Sequence, residues 1–159
     1  MKVTFTKTGE RRYKITVDRV GQAPITMDPA AGFDARLPHD AAHFLVEDEL
    51  KINGGVFGQL AAGGSANTFY PADPKIAKKS RKRGSKMAKE NKADALLAEH
   101  AIYAAQSRWE SHEIIPETKL PSADIQRIIS RFEEFAQRWS KLQIGGSISL
   151  EWMQRLRKR

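Results

Sequence analysis

Four residues between positions 39 and 47 have the types and the spacing of a metal site. His39 and His43 are four residues apart, so in a helix both imidazoles project from one face. Asp40 lies between them in the sequence, and Glu47 follows His43 by one further helical turn. Zinc sites in proteins take imidazole nitrogens and carboxylate oxygens as ligands, besides thiolates. The segment therefore predicts a zinc site with His39, His43 and Glu47 as ligands.

The pattern H-D-x-x-H resembles the HExxH zinc motif of metalloproteases, with Asp40 where that motif carries its general-base glutamate. The resemblance covers the nine residues H-D-x-x-H-x-x-x-E and implies a zinc-dependent hydrolase in which Asp40 is the base. Aspartate is a methylene shorter than glutamate, so Asp40 would reach a metal-bound water less easily. The third ligand is either Glu47 or a histidine from a later helix, His100 or His112.

An ordinary structural role is the alternative for the same two histidines. At about 100° per residue, they fall at the edge of the apolar stripe that contains Val46 and Leu50. A histidine at such a boundary is commonly a hydrogen-bonded surface group, and His39 can equally help to cap the helix. The sequence therefore leaves metal binding open and does not establish that the protein is an enzyme.

The second feature with chemical meaning is a basic block from Lys75 to Lys92. It holds nine lysines and arginines and one acid, and it carries the whole net charge of +8, because the remaining 18 basic and 18 acidic residues balance. Such a block binds polyanions by neutralising phosphates and releasing counterions. It has no aromatic residue to stack on bases and no wide apolar face to enter a membrane. It predicts contact with nucleic acid backbone through Lys78, Lys79, Arg81, Lys82, Arg83 and Lys86.

Two other interpretations of the basic block stay open. Charge runs are commonly solvated, flexible segments. The block can also dock onto the acidic segment Asp28–Glu49, which has six acids and one base, within one molecule or between two. Docking between two molecules predicts a homo-oligomer that dissociates as the salt concentration rises.

Composition limits the remaining classes of function. The chain has no cysteine, which excludes disulfides, thiol nucleophiles and cysteine zinc sites. It begins without the apolar run of a signal peptide, and no apolar run approaches the roughly 20 residues that span a bilayer. We expect one cytoplasmic domain with no membrane partner and with a mobile connecting segment at about residues 65–92. Within that segment Phe69 and Tyr70 can either stack on a base or anchor the loop to the body, and we expect them to anchor the loop.

Hydrophobic periodicity predicts the elements that position these residues. Alternation predicts a hairpin over residues 3–18, a short third strand at Ile25 and Met27, and a last strand from Ile148 to Trp152. Helical spacing predicts helices from Pro38 to Leu50, over residues 56–62 and 88–112, and from Ser122, as N-cap, to Leu142. We expect an α+β fold in which the hairpin and the C-terminal strand form a small antiparallel sheet. Two long helices and one or two short ones pack against it.

Overall fold

The structure, a computed structural model of the chain, describes residues 1–66, 69 and 74–153. Its four strands are β1 (Lys2–Gly9), β2 (Arg12–Asp18), β3 (Ile25–Met27) and β4 (Ser147–Glu151). They form one antiparallel sheet in the order β3-β2-β1-β4. The first and last strands of the described chain therefore pair with each other, as the sequence predicted.

Alternating side chains place one face of this sheet in the core. Val3 and Phe5 of β1 are fully buried, and so are Ile15 and Val17 of β2. Phe5 lies opposite Ile15 on one side and Ile148 on the other. A strand with period two buries every second residue, so the alternation read in the sequence fixes the register of the pairing.

The five helices are α1 (His39–Leu50), α2 (Val56–Ala61), α3 (Pro74–Glu90), α4 (Lys92–Trp109) and α5 (Ser122–Ser140). Helices α1, α4 and α5 pack against one another. Ring contacts join α5 to the sheet: the centroids of Phe5 and Phe135 are 5.6 Å apart, and those of Tyr13 and Trp139 are 6.1 Å apart. The α+β fold class is confirmed, and β3 lies at one edge of the sheet.

The structure differs from the sequence prediction most at the basic block. Periodicity placed no helix between residues 62 and 88, whereas α3 begins at Pro74. Lysine and arginine are good helix formers, and a narrow buried strip of Ala77, Ser80 and Gly84 takes the place of an apolar stripe. Helix α3 approaches Ser65 closely at Gly84. This approach needs a glycine, because a Cβ at position 84 would lie 2.9 Å from Oγ of Ser65.

Two helix ends also differ from the prediction. The helix predicted over residues 88–112 is two helices, since α3 ends before Asn91 and α4 ends at Trp109. Ser122 is the first residue of α5 rather than its cap; Pro121 precedes it, and no side chain caps the helix. Of the aromatic pair, Phe69 is fully buried beside Phe57, and Tyr70 lies outside the described residues. Within the described part of the chain, every helix is too short or too polar to cross a bilayer.

Candidate metal centre

Two helices bring three potential metal ligands together. His39 and His43 lie one turn apart on α1, and their Nε2 atoms are 3.2 Å apart. Glu99 of α4 reaches the same point, with its Oε1 3.2 Å from Nε2 of His43. One donor atom from each residue lies within 4.8 Å of the other two. Donors that share a tetrahedral zinc at about 2.0–2.2 Å lie roughly 3.2–3.6 Å apart, so two of the three separations already fit a shared ion.

The site is open on one side. His43 is buried, with 6% of its surface exposed, whereas His39 is exposed and the Glu99 side chain keeps 58% of its surface accessible. Three protein ligands at a solvent-facing position leave a coordination position for water, which is the arrangement of catalytic rather than structural zinc sites. The donor set of two imidazoles and one carboxylate also suits zinc chemically.

Glu47, which the sequence predicted as the third ligand, has a different role. Its carboxylate is completely buried and turns toward the start of α2. There it accepts hydrogen bonds from the backbone N–H groups of Val56 at 2.7 Å, Phe57 at 2.8 Å and Gly58 at 3.3 Å. A carboxylate at a helix N-terminus satisfies donors that the helix itself leaves unpaired. The structure does not bring Glu47 to the cluster as a ligand, because the start of α2 takes the oxygens that would bind a metal.

The same Glu47 carboxylate orients His43. Its Oε1 lies 3.3 Å from Nδ1 of His43. An ionised carboxylate only accepts hydrogen bonds, so Nδ1 carries the proton and donates it to Glu47. When the imidazole is neutral, its lone pair is then on Nε2, the nitrogen that faces His39 and Glu99. When the imidazole is protonated, Nε2 carries a second proton, which a metal has to displace. Histidine ligands of metals are commonly held in this way by a carboxylate behind them.

Gly55 makes this arrangement possible. A Cβ on Gly55 would overlap the Glu47 carboxylate. The residue just before α2 therefore has to be glycine for the carboxylate to approach the helix N-terminus. The Gly54-Gly55 pair also has a second contact, since the backbone N–H of Gly54 donates to Asp94 of α4 at 2.9 Å.

The environment of His43 favours positive charge. Burial lowers the pKa of His43, but the hydrogen bond to Glu47 and the charges of Glu47, Glu99 and Asp40 raise it by more. The pKa therefore lies above its ordinary value. The same negative field that favours a proton on the imidazole favours a metal cation at Nε2.

Asp40, the base of the predicted hydrolase, is hydrogen-bonded on the sheet side of α1. Its Oδ2 accepts the hydroxyl of Tyr13 at 2.7 Å. Burial and the adjacent Asp40 charge raise the pKa of Tyr13, so the phenol stays protonated and remains a donor. This contact holds Asp40 in a structural role between β2 and α1.

The two later histidines lie outside the cluster. His100 lines an open cavity of about 570 Å³ together with Leu97 and Leu120. His112 follows α4, and its Nε2 is 2.8 Å from Glu110. The sequence anticipated a ligand from this helix, and the residue that converges is Glu99, the immediate neighbour of His100. Leu96 and Leu97 are exposed, at 60% and 42%, so α4 faces the core through other residues.

The basic block forms a lysine-rich surface on α3. At about 100° per residue, its lysines fall on one side of the helix, opposite the strip that packs on the body. All of them are exposed, and we call them the lysine face: Lys75, Lys78, Lys79, Lys82, Lys86 and Lys89. The other two predicted contacts, Arg81 and Arg83, are exposed on the two flanks.

The acidic segment is bonded to other parts of the protein. Glu49 lies 2.7 Å from Nε of Arg127 and 3.3 Å from Nη1 of Arg131, and Asp48 lies 2.8 Å from Nη2 of Arg131. These contacts fasten α1 to α5. The hydrogen bonds of Arg127 and Arg131, which outweigh partial burial, hold the pKa of Glu49 below its usual value. Together with the bonds of Asp40 and Glu47, they give each carboxylate of α1 a partner outside α3, which does not favour docking within one molecule.

No protein-family model, curated protein sequence or solved structure matches the chain. A functional hypothesis for this protein therefore depends on the geometry of the metal cluster and of the lysine face.

Proposed function

We propose that this protein binds a divalent transition metal, zinc being the simplest choice, through His39, His43 and Glu99. The observation that supports the proposal is the convergence of the three donor atoms within 4.8 Å, from two separate helices. The buried Glu47 behind His43 adds to it, because it fixes the tautomer that a metal needs.

Metal-dependent hydrolysis is the finer hypothesis, and the geometry supports it less. A general base has to reach the metal-bound water directly or through one water. Asp40 accepts a hydrogen bond from Tyr13 instead. We therefore propose a metal-binding function and assign no catalytic residue.

Zinc titration of the metal-free protein, purified without a histidine tag, tests the proposal. We expect one zinc per chain in isothermal calorimetry. Glu99→Gln should weaken binding by at least about 100-fold, more than the roughly 10–100-fold cost of losing a residue that only supports a ligand. Because Glu99 is largely exposed, the substitution should leave the fold intact. Glu113→Gln, at an exposed position just beyond α4, is the matched control and should bind zinc like the wild type.

Polyanion binding by α3 is a second candidate function, and the outward-facing lysine face supports it. Lysines four residues apart repel each other along a helix, as Lys78 and Lys82 do here. Positive charge in the first turn of α3 also opposes the helix dipole, and no acid there compensates it. A phosphate backbone laid along the lysine face would relieve both effects, which favours a nucleic acid as the partner.

The salt dependence of binding to duplex DNA and to RNA tests this second function. For duplex DNA, each phosphate that the protein neutralises contributes about 0.9 to the slope of log K against log salt. We expect Lys82→Gln to lower that slope by about 1, equally for unrelated sequences. Lys141→Gln, which removes the same charge at an exposed position after α5, should change nothing. A slope near zero for the wild type would rule out the function.

A further inference from the structure

A cavity of about 570 Å³ lies between α4 and the connecting segment, residues 110–121, that joins α4 to α5. Its volume falls within the roughly 300–1,000 Å³ of small-molecule sites in proteins. The cavity is open to solvent, so a ligand can enter without a change in the fold. Leucines and polar residues line it: Leu97 and His100 from α4, and Glu117, Thr118, Lys119 and Leu120 from the connecting segment.

Contacts outside the cavity hold both of its walls in place. The first wall belongs to α4, which packs on α1 and α5. Arg108, also in α4, donates from Nη2 to the carbonyl oxygen of Pro116 at 3.4 Å, directly before the second wall. Leu120, at the far end of the second wall, packs on the hydrophobic core. The cavity is therefore formed before a ligand binds, as small-molecule sites usually are.

The connecting segment brings two opposite charges to the cavity. Glu117 and Lys119 are exposed and lie two residues apart. Across residues 1–66, 69 and 74–153, neither of them forms an ion pair. The hydroxyl of Thr118 accepts the backbone N–H of Leu120 at 3.2 Å, and its own proton has no acceptor among the described residues. A carboxylate, an ammonium group and a hydroxyl donor are therefore unused beside two leucines.

We propose that this cavity binds a free α-amino acid with an apolar side chain. The ligand side chain lies between Leu97 and Leu120, its ammonium group pairs with Glu117, and its carboxylate pairs with Lys119. A zwitterion complements both charges of the connecting segment, whereas an anion is repelled by Glu117 and a cation by Lys119. At about 100° per residue, Leu97 and Glu99 project from opposite sides of α4. The site is therefore separate from the candidate metal centre and does not rest on metal binding.

Titration with L-leucine, followed by nuclear magnetic resonance of the Leu97 and Leu120 methyl groups, tests the site. A chelator is present throughout, so that the ligand carboxylate does not bind at the candidate metal centre. We expect both methyl signals to shift and saturate. L-alanine should bind at least about 10-fold more weakly, because each buried methylene contributes about 4-fold in affinity. L-leucinamide lacks the carboxylate and N-acetyl-L-leucine lacks the ammonium group, so each should bind about 2–5-fold more weakly, as expected for one exposed ion pair.

Two substitutions assign each charge of the ligand to its partner. Lys119→Gln should weaken leucine binding by about 2–5-fold and leave leucinamide binding unchanged. Glu117→Gln should weaken leucine binding by a similar factor and leave N-acetyl-L-leucine binding unchanged. Lys141→Gln and Glu113→Gln are the matched controls, because they remove the same charges at exposed positions outside the cavity lining. Both controls should bind leucine like the wild type.

Three results would overturn the proposal. Methyl signals of Leu97 and Leu120 that do not move with leucine would exclude the site. Equal affinities for leucine and for N-acetyl-L-leucinamide, which lacks both charges, would show an apolar cavity that does not recognise a zwitterion. Equal losses of leucine affinity in Lys119→Gln and Lys141→Gln would show only a general effect of charge.

Discussion

Glu47→Gln is the substitution that examines most closely how α1, α2 and the candidate metal centre depend on one another. Oε1 of Glu47 accepts hydrogen bonds from Val56 N–H and His43 Nδ1–H, and Oε2 accepts those from Phe57 and Gly58. The glutamine amide has one oxygen, so it can serve only one of these two pairs of donors. The other pair then faces an NH₂ group inside the protein, at a position with no exposure to water.

The expected loss of stability comes from those contacts. A hydrogen bond to a charged group contributes about 1.5–3 kcal/mol, and removing one partner of a buried charged contact costs about 3–5 kcal/mol. Two lost bonds therefore predict a decrease of about 3–6 kcal/mol in the free energy of unfolding. Zinc affinity should fall by roughly 10–100-fold, because His43 loses the carboxylate that holds its tautomer.

Urea unfolding with a chelator present measures the stability effect apart from metal binding. A lower urea midpoint, with an unchanged dependence of the unfolding free energy on urea concentration, would show a loss of stability. It would also show that the folded and unfolded states expose the same surface as in the wild type. Glu49→Gln is the matched control, since Glu49 belongs to the same helix and forms partly exposed ion pairs with α5. It should cost about 1 kcal/mol or less. If Glu47→Gln costs no more than Glu49→Gln, the Glu47 carboxylate does not hold the start of α2.

Three further perturbations test single contacts. The raised pKa of His43 gives the metal-free protein stability that is fully present below about pH 6.5 and is lost as pH rises through the folded-state pKa. The difference in urea midpoint between wild type and His43→Gln should therefore shrink as the pH rises above about 6.5. A difference that stays constant with pH would contradict the raised pKa. Gly55→Ala should destabilise the protein by about 1–3 kcal/mol and weaken zinc binding, because the new Cβ would overlap the Glu47 carboxylate. Zinc affinity and a thermal midpoint equal to those of the wild type in calorimetry would count against this contact. Gly84→Ala should lower the thermal midpoint, because the new Cβ would meet Ser65. If α3 did not pack against Ser65, the same substitution would instead stabilise the helix by about 1 kcal/mol, so a higher midpoint would contradict the packing.

Elements with a regular apolar period were predictable from the sequence. Strands β1, β2 and β4 alternate strictly, and their buried residues are those that the alternation selects. Helix α5 likewise buries Ile125, Ile128 and Phe132 at the predicted spacing. In such elements one pattern decides both the element type and its inward face, so local sequence and tertiary packing agree.

Glu99 was missed as a candidate ligand because α4 does not bury its largest apolar residues. The core contacts of α4 come from Ala98, Ala101 and Ile102, and alanines allow the helix to approach its neighbours closely. Leu96 and Leu97 remain exposed. Counting leucines therefore rotates the helix incorrectly. At about 100° per residue, Glu99 falls outside the arc of Ala98, Ala101 and Ile102, and its side chain is 58% exposed. The apolar pattern of α4 therefore does not mark Glu99 as a ligand.

Helix α3 and the role of Glu47 show two other limits of the sequence. A helix that packs through alanine, serine and glycine has no apolar period to detect. Glu47 has the spacing of a metal ligand on α1, and its actual partners are backbone groups of α2, which no side-chain pattern encodes. Which of several possible partners a carboxylate takes depends on tertiary packing rather than on spacing along one helix.

Anomalous diffraction from crystals grown with zinc tests the central claim most directly. We predict one strong anomalous peak between α1 and α4, about 2.0–2.2 Å from Nε2 of His39, Nε2 of His43 and a carboxylate oxygen of Glu99. The peak should be absent from crystals of Glu99→Gln grown in the same way. A peak at the exposed Glu110–His112 pair instead, or no peak near His43, would contradict the claim that these three residues form a metal site.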